Sequence, residues 1–427
     1  MIITLVFLGS LLVAMAMGIP IAFSLLVSGV TLMFHMNMFD TQILASNIMD
    51  GADNFPLMAI PFFILAGELM NVGGISKRII AFAMALVGHI RGGLGYVAII
   101  TSVIFAGLSG SAVADTAALT AILIPMMVAA GYDRSRSAAL IAASGILAPV
   151  IPPSIPMIVF GVTANVSISG LFMSGIVPGL LLAIFLAVTW AWMVRKHNFA
   201  VQPRCSLREL LARAREAVWA FGLPFLIIFG LRGGVFTPTE AAAVAVFYAL
   251  FVGAVIYREI KFSQLEEVLI AAGKTTSVIM LLAAAAMVSS WMITVANIPA
   301  QITSMLAPFM DNKILLMFLI NILVLIVGTA MDVMPTILIL TPVLMPVVLK
   351  AGIDPVYFGF MFVFNNCIGL LTPPVGTVLN VAAGVGKVRM DSIIRSVMPF
   401  MWVQVLLLML LTLFPEIVTV PLKFFTK

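Results

Sequence analysis

The segment Ala148-Pro-Val-Ile-Pro-Pro-Ser-Ile-Pro156 sets Pro149, Pro152, Pro153 and Pro156 within eight residues, in the middle of a charge-free run from Ser137 to Val194. That run is long enough for two membrane spans, because a bilayer core needs about 20 apolar residues per helix. Proline removes a backbone donor and clashes with the preceding turn, so this cluster cannot be an ordinary helix interior. Non-helical backbone at membrane depth persists only where protein or a polar cavity shields it. The segment therefore predicts a broken helix facing an internal site.

The rest of the chain supports a membrane setting. Of its 427 residues, 63% are hydrophobic and 9% charged, and the mean hydropathy is +1.22, which excludes a water-soluble globule. The apolar content is spread along the whole length, so the chain reads as an all-α polytopic membrane protein with roughly 11 spanning helices. The net charge is +5, but the basic residues stand singly between apolar runs. They read as topology signals, not as a nucleic-acid surface. Cys205 and Cys367 supply neither a disulfide framework nor a metal ligand set. The charge-free start, Met1 to Phe39, contains a cleavage-like Ala14-Met15-Ala16. It lacks a basic leader and continues well past Ala16, so it reads as a span and not as a signal peptide.

Laid on itself with an offset of 221 residues, the sequence aligns Gly107, Pro125, Gly131, Asp133, Pro152, Pro153 and Pro178 with Gly328, Pro346, Gly352, Asp354, Pro373, Pro374 and Pro399. Most of these residues fix backbone geometry, which is what a duplicated fold retains. The organisation is then a first membrane repeat over 1–194, a basic linker over 195–221 and a second repeat over 222–427. The linker holds Arg195, Lys196, Arg204, Arg208, Arg213 and Arg215 against Glu209 and Glu216, which places it on the cytoplasmic side. Within it, Leu207, Leu210, Leu211 and Ala214 share one face of an amphipathic helix that lies on membrane lipid or braces the two halves. An odd number of spans in each repeat would invert one against the other, the plan of many secondary transporters.

Two pairs of interrupted apolar segments match the pattern of a transporter's central site. The first pair is Gly107-Leu-Ser-Gly-Ser-Ala-Val-Ala-Asp-Thr116 with Gly145-Ile-Leu-Ala-Pro-Val-Ile-Pro-Pro-Ser154. The second is Gly328-Thr-Ala-Met-Asp-Val-Met-Pro-Thr336 with Asn365-Asn-Cys-Ile-Gly-Leu-Leu-Thr-Pro-Pro-Val-Gly376. Unwound helices release carbonyl oxygens that, with Ser, Thr or Asp oxygens, suit a small hard cation such as Na⁺, while opposed helix N-termini suit a carboxylate. Asp115 and Asp332 are costly at membrane depth and so stand as functional candidates; either could ligate Na⁺, carry a proton or cap a turn. Glu68 is a further buried acid for which Lys77 and Arg78 are candidate partners. Gly273-Lys274-Thr275 lacks the earlier glycine of a P-loop. Thr237 to Glu240 reads as a capping box, and Asp133 and Asp354 as N-caps. His35, His89 and His197 have no metal or catalytic spacing, so the reading is not an enzyme and assigns no catalytic residue.

At these residues the chain resembles the large membrane (M) subunit, DctM-like, of the tripartite ATP-independent periplasmic (TRAP) transporters of bacteria and archaea. The matching stretches are Ala59-Ile-Pro-Phe-Phe-Ile-Leu-Ala-Gly-Glu68, Gly107 to Thr116, Ala148 to Ser154, Phe236-Thr-Pro-Thr-Glu240 and Gly369-Leu-Leu-Thr-Pro-Pro-Val-Gly376, in family order over essentially the whole chain. The resemblance implies an elevator-type inverted repeat with two re-entrant helical hairpins and broken helices in the bacterial inner membrane. It implies Na⁺-coupled import of organic acids, with a closer likeness to importers of sugar acids and related carboxylates. A periplasmic substrate-binding protein (P type) would deliver them, and a small four-helix membrane subunit (Q type), expected as a separate polypeptide, would complete the complex. It places Na⁺ near Ser109, Ser111, Gly145 and Pro149 in one half and near Gly328, Asp332, Thr372 and Val375 in the other. Substrate would lie between, near Asp115, Thr116, Asn365 and Asn366. A stand-alone Na⁺/carboxylate symporter is the alternative within transport, and a channel or scaffold subunit the alternative outside it.

Overall fold

The computed structural model describes residues 2–195, 199 and 203–426. Lys196 of the basic linker, and His197, lie outside the described residues. Among the described residues twenty α-helices follow one another. The first ten are α1 (Ile2–Ala16), α2 (Ile21–His35), α3 (Thr41–Ala52), α4 (Ala59–Val72), α5 (Ile75–Val87), α6 (Gly93–Ser109), α7 (Ala112–Ala129), α8 (Arg134–Gly145), α9 (Ile155–Ala164) and α10 (Ile168–Val194). The second ten are α11 (Leu207–Arg232), α12 (Pro238–Phe251), α13 (Phe262–Val295), α14 (Ile298–Leu306), α15 (Lys313–Ala330), α16 (Val333–Lys350), α17 (Pro355–Gly369), α18 (Thr377–Gly386), α19 (Met390–Leu413) and α20 (Glu416–Thr426).

Among the described residues nine helical stretches are long and apolar enough to cross a membrane, and Ile2–Ala16, Ile21–His35 and Gly93–Ser109 are shorter apolar helices. The sequence predicted roughly 11 spans; the count is lower because α1, α2 and α6, at 15, 15 and 17 residues, are shorter than a full span. The outer surface is apolar, with Phe34, Val188, Phe225 and Phe247 exposed, as lipid-facing helices require.

The duplication extends to the backbone. α6 to α10 and α15 to α19 repeat the same order of helices, turns and breaks at the offset found in the sequence. Pro152-Pro153 and Pro373-Pro374 are both cis, and Gly131 and Gly352 both turn through positive φ. Asp133 and Asp354 cap the equivalent helices α8 and α17, each accepting from the backbone N–H three residues on, at 2.8 Å. Thr237 and Glu240 form the expected capping box before α12, with Pro238 at its first position. The repeats interlock: α7 packs on α18 and α16 on α9, while α8 packs on α19 and α17 on α10. The amphipathic stretch after Ser206 is the first part of the long helix α11, so residues 221 and 222 lie within one helix.

Candidate functional site

In the first half, α6 stops at Ser109 because Gly110 adopts a left-handed conformation, φ 63°, and α7 restarts with Ser111 as its N-cap. The tip of this hairpin rests on the interrupted segment between α8 and α9, so closely that a methyl on Gly110 would stand 2.6 Å from the carbonyl oxygen of Pro153. Ser109 donates from its hydroxyl to Asp115 Oδ1 and accepts from the Ser111 N–H at 3.2 Å. Asp115 is buried, and among the described residues its Oδ2 has no hydrogen-bond partner. Thr116 Oγ1 likewise has none, and it faces Gly145. In the interrupted segment Ser154 donates to the Pro149 carbonyl at 2.6 Å and caps α9 by accepting from the Met157 N–H.

The second half repeats this plan with different side chains. α15 ends at Ala330, and Asp332 caps α16, accepting from the Val333 N–H at 2.8 Å. The α15 and α17 backbones meet where two glycines cross: a methyl on Gly369 would stand 2.6 Å from the Gly328 carbonyl oxygen. Helix α17 stops at Gly369, and the chain stays non-helical to Gly376. There Thr372 donates to the Ile368 carbonyl at 3.0 Å, and the Val375 N–H donates to the Thr329 carbonyl at 3.4 Å. Asn365 donates to the Asn321 carbonyl at 2.8 Å, and Asn321 to Thr412 Oγ1 at 2.9 Å. Asn366 is buried beside Gly328, and neither of its side-chain polar atoms has a partner among the described residues.

A cavity of about 290 Å³ joins the two halves. Of the residues singled out in the sequence, it gathers Ser109, Ser111 and Pro149 from the first half and Asp332 from the second. Gly145, Gly328, Thr372 and Val375 stand away from its walls, as do Asp115, Thr116, Asn365 and Asn366. Two polar residues in that wall were not among the site candidates read from the sequence, Asn71 and Thr275, the latter noted only in a rejected P-loop. The signal for Asn71 was present, because it follows Glu68 by one helical turn on an otherwise apolar helix. Glu68 lines the same cavity. Arg78 is not its partner: it pairs with Glu259 at 2.7 Å, because the turn at Gly74 brings the Glu259 carboxylate against the start of α5.

The arrangement offers hydroxyl, carboxylate and carbonyl oxygens beside helix N-termini, inside a shell of apolar helices. Among the described residues no cluster of three or more His, Cys, Asp or Glu side chains could hold a metal ion. Duplicated broken helices that meet at a cavity carrying a few polar groups among apolar walls define a class, the multi-pass membrane permease.

The comparisons make the assignment particular. Residues 8–417 match the family described as the tripartite ATP-independent periplasmic transporter, DctM component. The chain belongs to that family, as the large permease subunit of a TRAP transporter and a multi-pass inner-membrane protein. It is 53% identical to the 2,3-diketo-L-gulonate TRAP transporter large permease protein of Escherichia coli K12, over 98% of this chain and 99% of that one. It is 39% identical to the sialic acid TRAP transporter large permease protein of Vibrio cholerae serotype O1, over 93% of each chain. These relatives are named as permeases and not as enzymes. Among solved structures, the YdaH transporter of Alcanivorax borkumensis, described as having an unusual topology, matches with a TM-score of 0.64 over 87% of each chain. At 14% identity that likeness shows the fold alone.

Proposed function

We propose that this subunit imports small organic acids, sugar acids and related carboxylates, by an elevator motion driven by the Na⁺ gradient. A periplasmic binding protein delivers the substrate, and a small four-helix membrane subunit completes the complex. The observation that carries this reading is the pair of breaks at equivalent positions, 146–154 and 370–376, where peptide carbonyls are released beside helix starts in an otherwise apolar interior. Ser109, Ser111, Gly145 and Pro149 would contribute oxygens for Na⁺ in one half, and Gly328, Asp332, Thr372 and Val375 in the other. Between them, the free oxygen of Asp115 and the free hydroxyl of Thr116 would meet the substrate, because a buried polar atom is stabilised once a ligand satisfies it. Asn366, with both polar atoms uncommitted, suits a substrate hydroxyl or carboxylate, with Asn365 beside it.

The names of the relatives support the substrate class, since diketogulonate and sialic acid are both sugar acids. An inverted relation between the repeats is part of this proposal, because a two-fold exchange of equivalent helices lets one site face either side in turn. The test is uptake by proteoliposomes holding this chain and its small subunit, with a labelled sugar acid and the binding protein outside. Uptake that requires both an inward Na⁺ gradient and the binding protein is expected. Uptake that persists after the gradient collapses would overturn the coupling, and uptake without the binding protein would favour a stand-alone symporter.

A further inference from the structure

Apart from the central cavity, a groove of about 780 Å³ opens between the start of α5, the amphipathic part of α11 and the loop that follows α12. Its lining includes Lys77, Arg78, Arg213 and Arg215, set against Glu216 and Glu259. One of these cations is built into the wall. Arg78 donates to the Gly74 carbonyl at 2.9 Å, pairs with Glu259 at 2.7 Å and lies 3.8 Å over the Tyr257 ring. Tyr257 in turn donates from its hydroxyl to the Glu216 carbonyl, which ties the loop to α11. Burial pushes that hydroxyl up to about 12, so it remains a donor at any working pH.

The other cations are not consumed in this way. Arg213 meets Glu216 at 3.4 Å with both side chains about half exposed, and exposed pairs of this kind contribute little. Among the described residues Lys77 and Arg215 form no ion pair. The groove therefore holds a surplus of positive charge on a fixed frame.

What stands beside it selects the anion. Leu207 and Leu211 on the same helix are 72% and 62% exposed, and Val218 is exposed as well. At this spacing the three share one face, which no described residue covers. Arg215 follows Leu211 by one turn and so sits between the apolar stripe and the groove. Trp219, in the groove wall and partly exposed, is the residue type that collects at a membrane–water interface. A free phosphate ion has no use for an apolar stripe, whereas a lipid engages acyl chains and headgroup together. We propose that this groove binds the phosphate headgroup of an anionic phospholipid, with the stripe of α11 lying on its acyl chains.

Native mass spectrometry of the full chain in neutral detergent tests this, with cardiolipin, phosphatidylglycerol, phosphatidylcholine or inorganic phosphate added. Cardiolipin and phosphatidylglycerol should be retained, and phosphatidylcholine released. The Lys77→Gln/Arg215→Gln double variant should lose retention about thirty-fold, from two basic contacts removed, and Lys77→Arg/Arg215→Lys should keep it. If the double variant fails to fold, Arg215→Gln alone, at an exposed position, should reduce retention by about five-fold. Equal retention in a well-folded charge-removing variant would overturn the site. So would full displacement of lipid by inorganic phosphate, which would make it a free-anion site, or loss of a bound protein subunit in place of lipid.

Discussion

Gly145 has no room for a side chain: a methyl there would stand 2.0 Å from Thr116 Oγ1. Gly145→Ala is expected to cost about 1–3 kcal/mol, read as a lower thermal midpoint in detergent, and Thr116→Ala in the same chain should recover most of it. No recovery would mean that the clash lies with the backbone. Ser111 acts in two capacities, as the N-cap of α7 through the Ala114 N–H at 3.4 Å and as a wall of the central cavity. Ser111→Ala should cost about 1 kcal/mol of stability. On the proposed reading it should also raise the Na⁺ concentration needed for half-maximal uptake, as should Thr372→Val. Na⁺ activation unchanged in both variants would remove their hydroxyls from the proposed ligand set.

Between elements, close approach is set by what α10 leaves out. Gly175 and Gly179 lie one turn apart, and the interrupted segment between α8 and α9 rests on them, in the manner of small residues at membrane helix interfaces. A methyl on Gly175 would stand 2.2 Å from the Val150 carbonyl oxygen, whereas one on Gly179 would first meet the Ile151 side chain at 2.4 Å. A side chain can rotate away and a backbone segment cannot. Gly175→Ala is therefore expected to lose more than about 3 kcal/mol, and Gly179→Ala about 1–3 kcal/mol. Thermal melts of the two variants would settle the order, and equal losses would show that the interrupted segment moves as a unit. In the second half polar links do comparable work, as Asn321 joins α15 to Asn365 of α17 and Thr412 of α19. Such bonds contribute about 0.6–2 kcal/mol each inside a membrane.

For the whole molecule, the exchange of partners between halves matters most. Because α7 lies on α18 and α16 on α9, neither repeat buries its inner helices without the other. A chain divided within the basic linker and expressed as two pieces should co-purify as one complex, while either piece alone should aggregate on extraction. A single monodisperse half would show that the repeats fold independently. The same exchange puts residues from both halves around one cavity, Ser109 and Ser111 facing Asp332. On the proposed elevator reading, movement of one repeat's core against the flanking helices would alter a shared site and not two separate ones.

The sequence by itself determined the membrane setting, the duplication and the places where helices break, because hydropathy and the geometry of Pro and Gly act locally and need no partner. It also marked the oxygen-bearing segments, since a polar residue next to a helix breaker within an apolar run is unusual wherever it occurs. Only the tertiary structure decided which marked residues meet. Asp332 reaches the cavity of Ser109 and Ser111, while Thr372 and Val375 stand apart from it, and Arg78 leaves Glu68 for Glu259. Those outcomes depend on which helices cross and how closely their backbones approach, and packing between positions far apart in the chain fixes both.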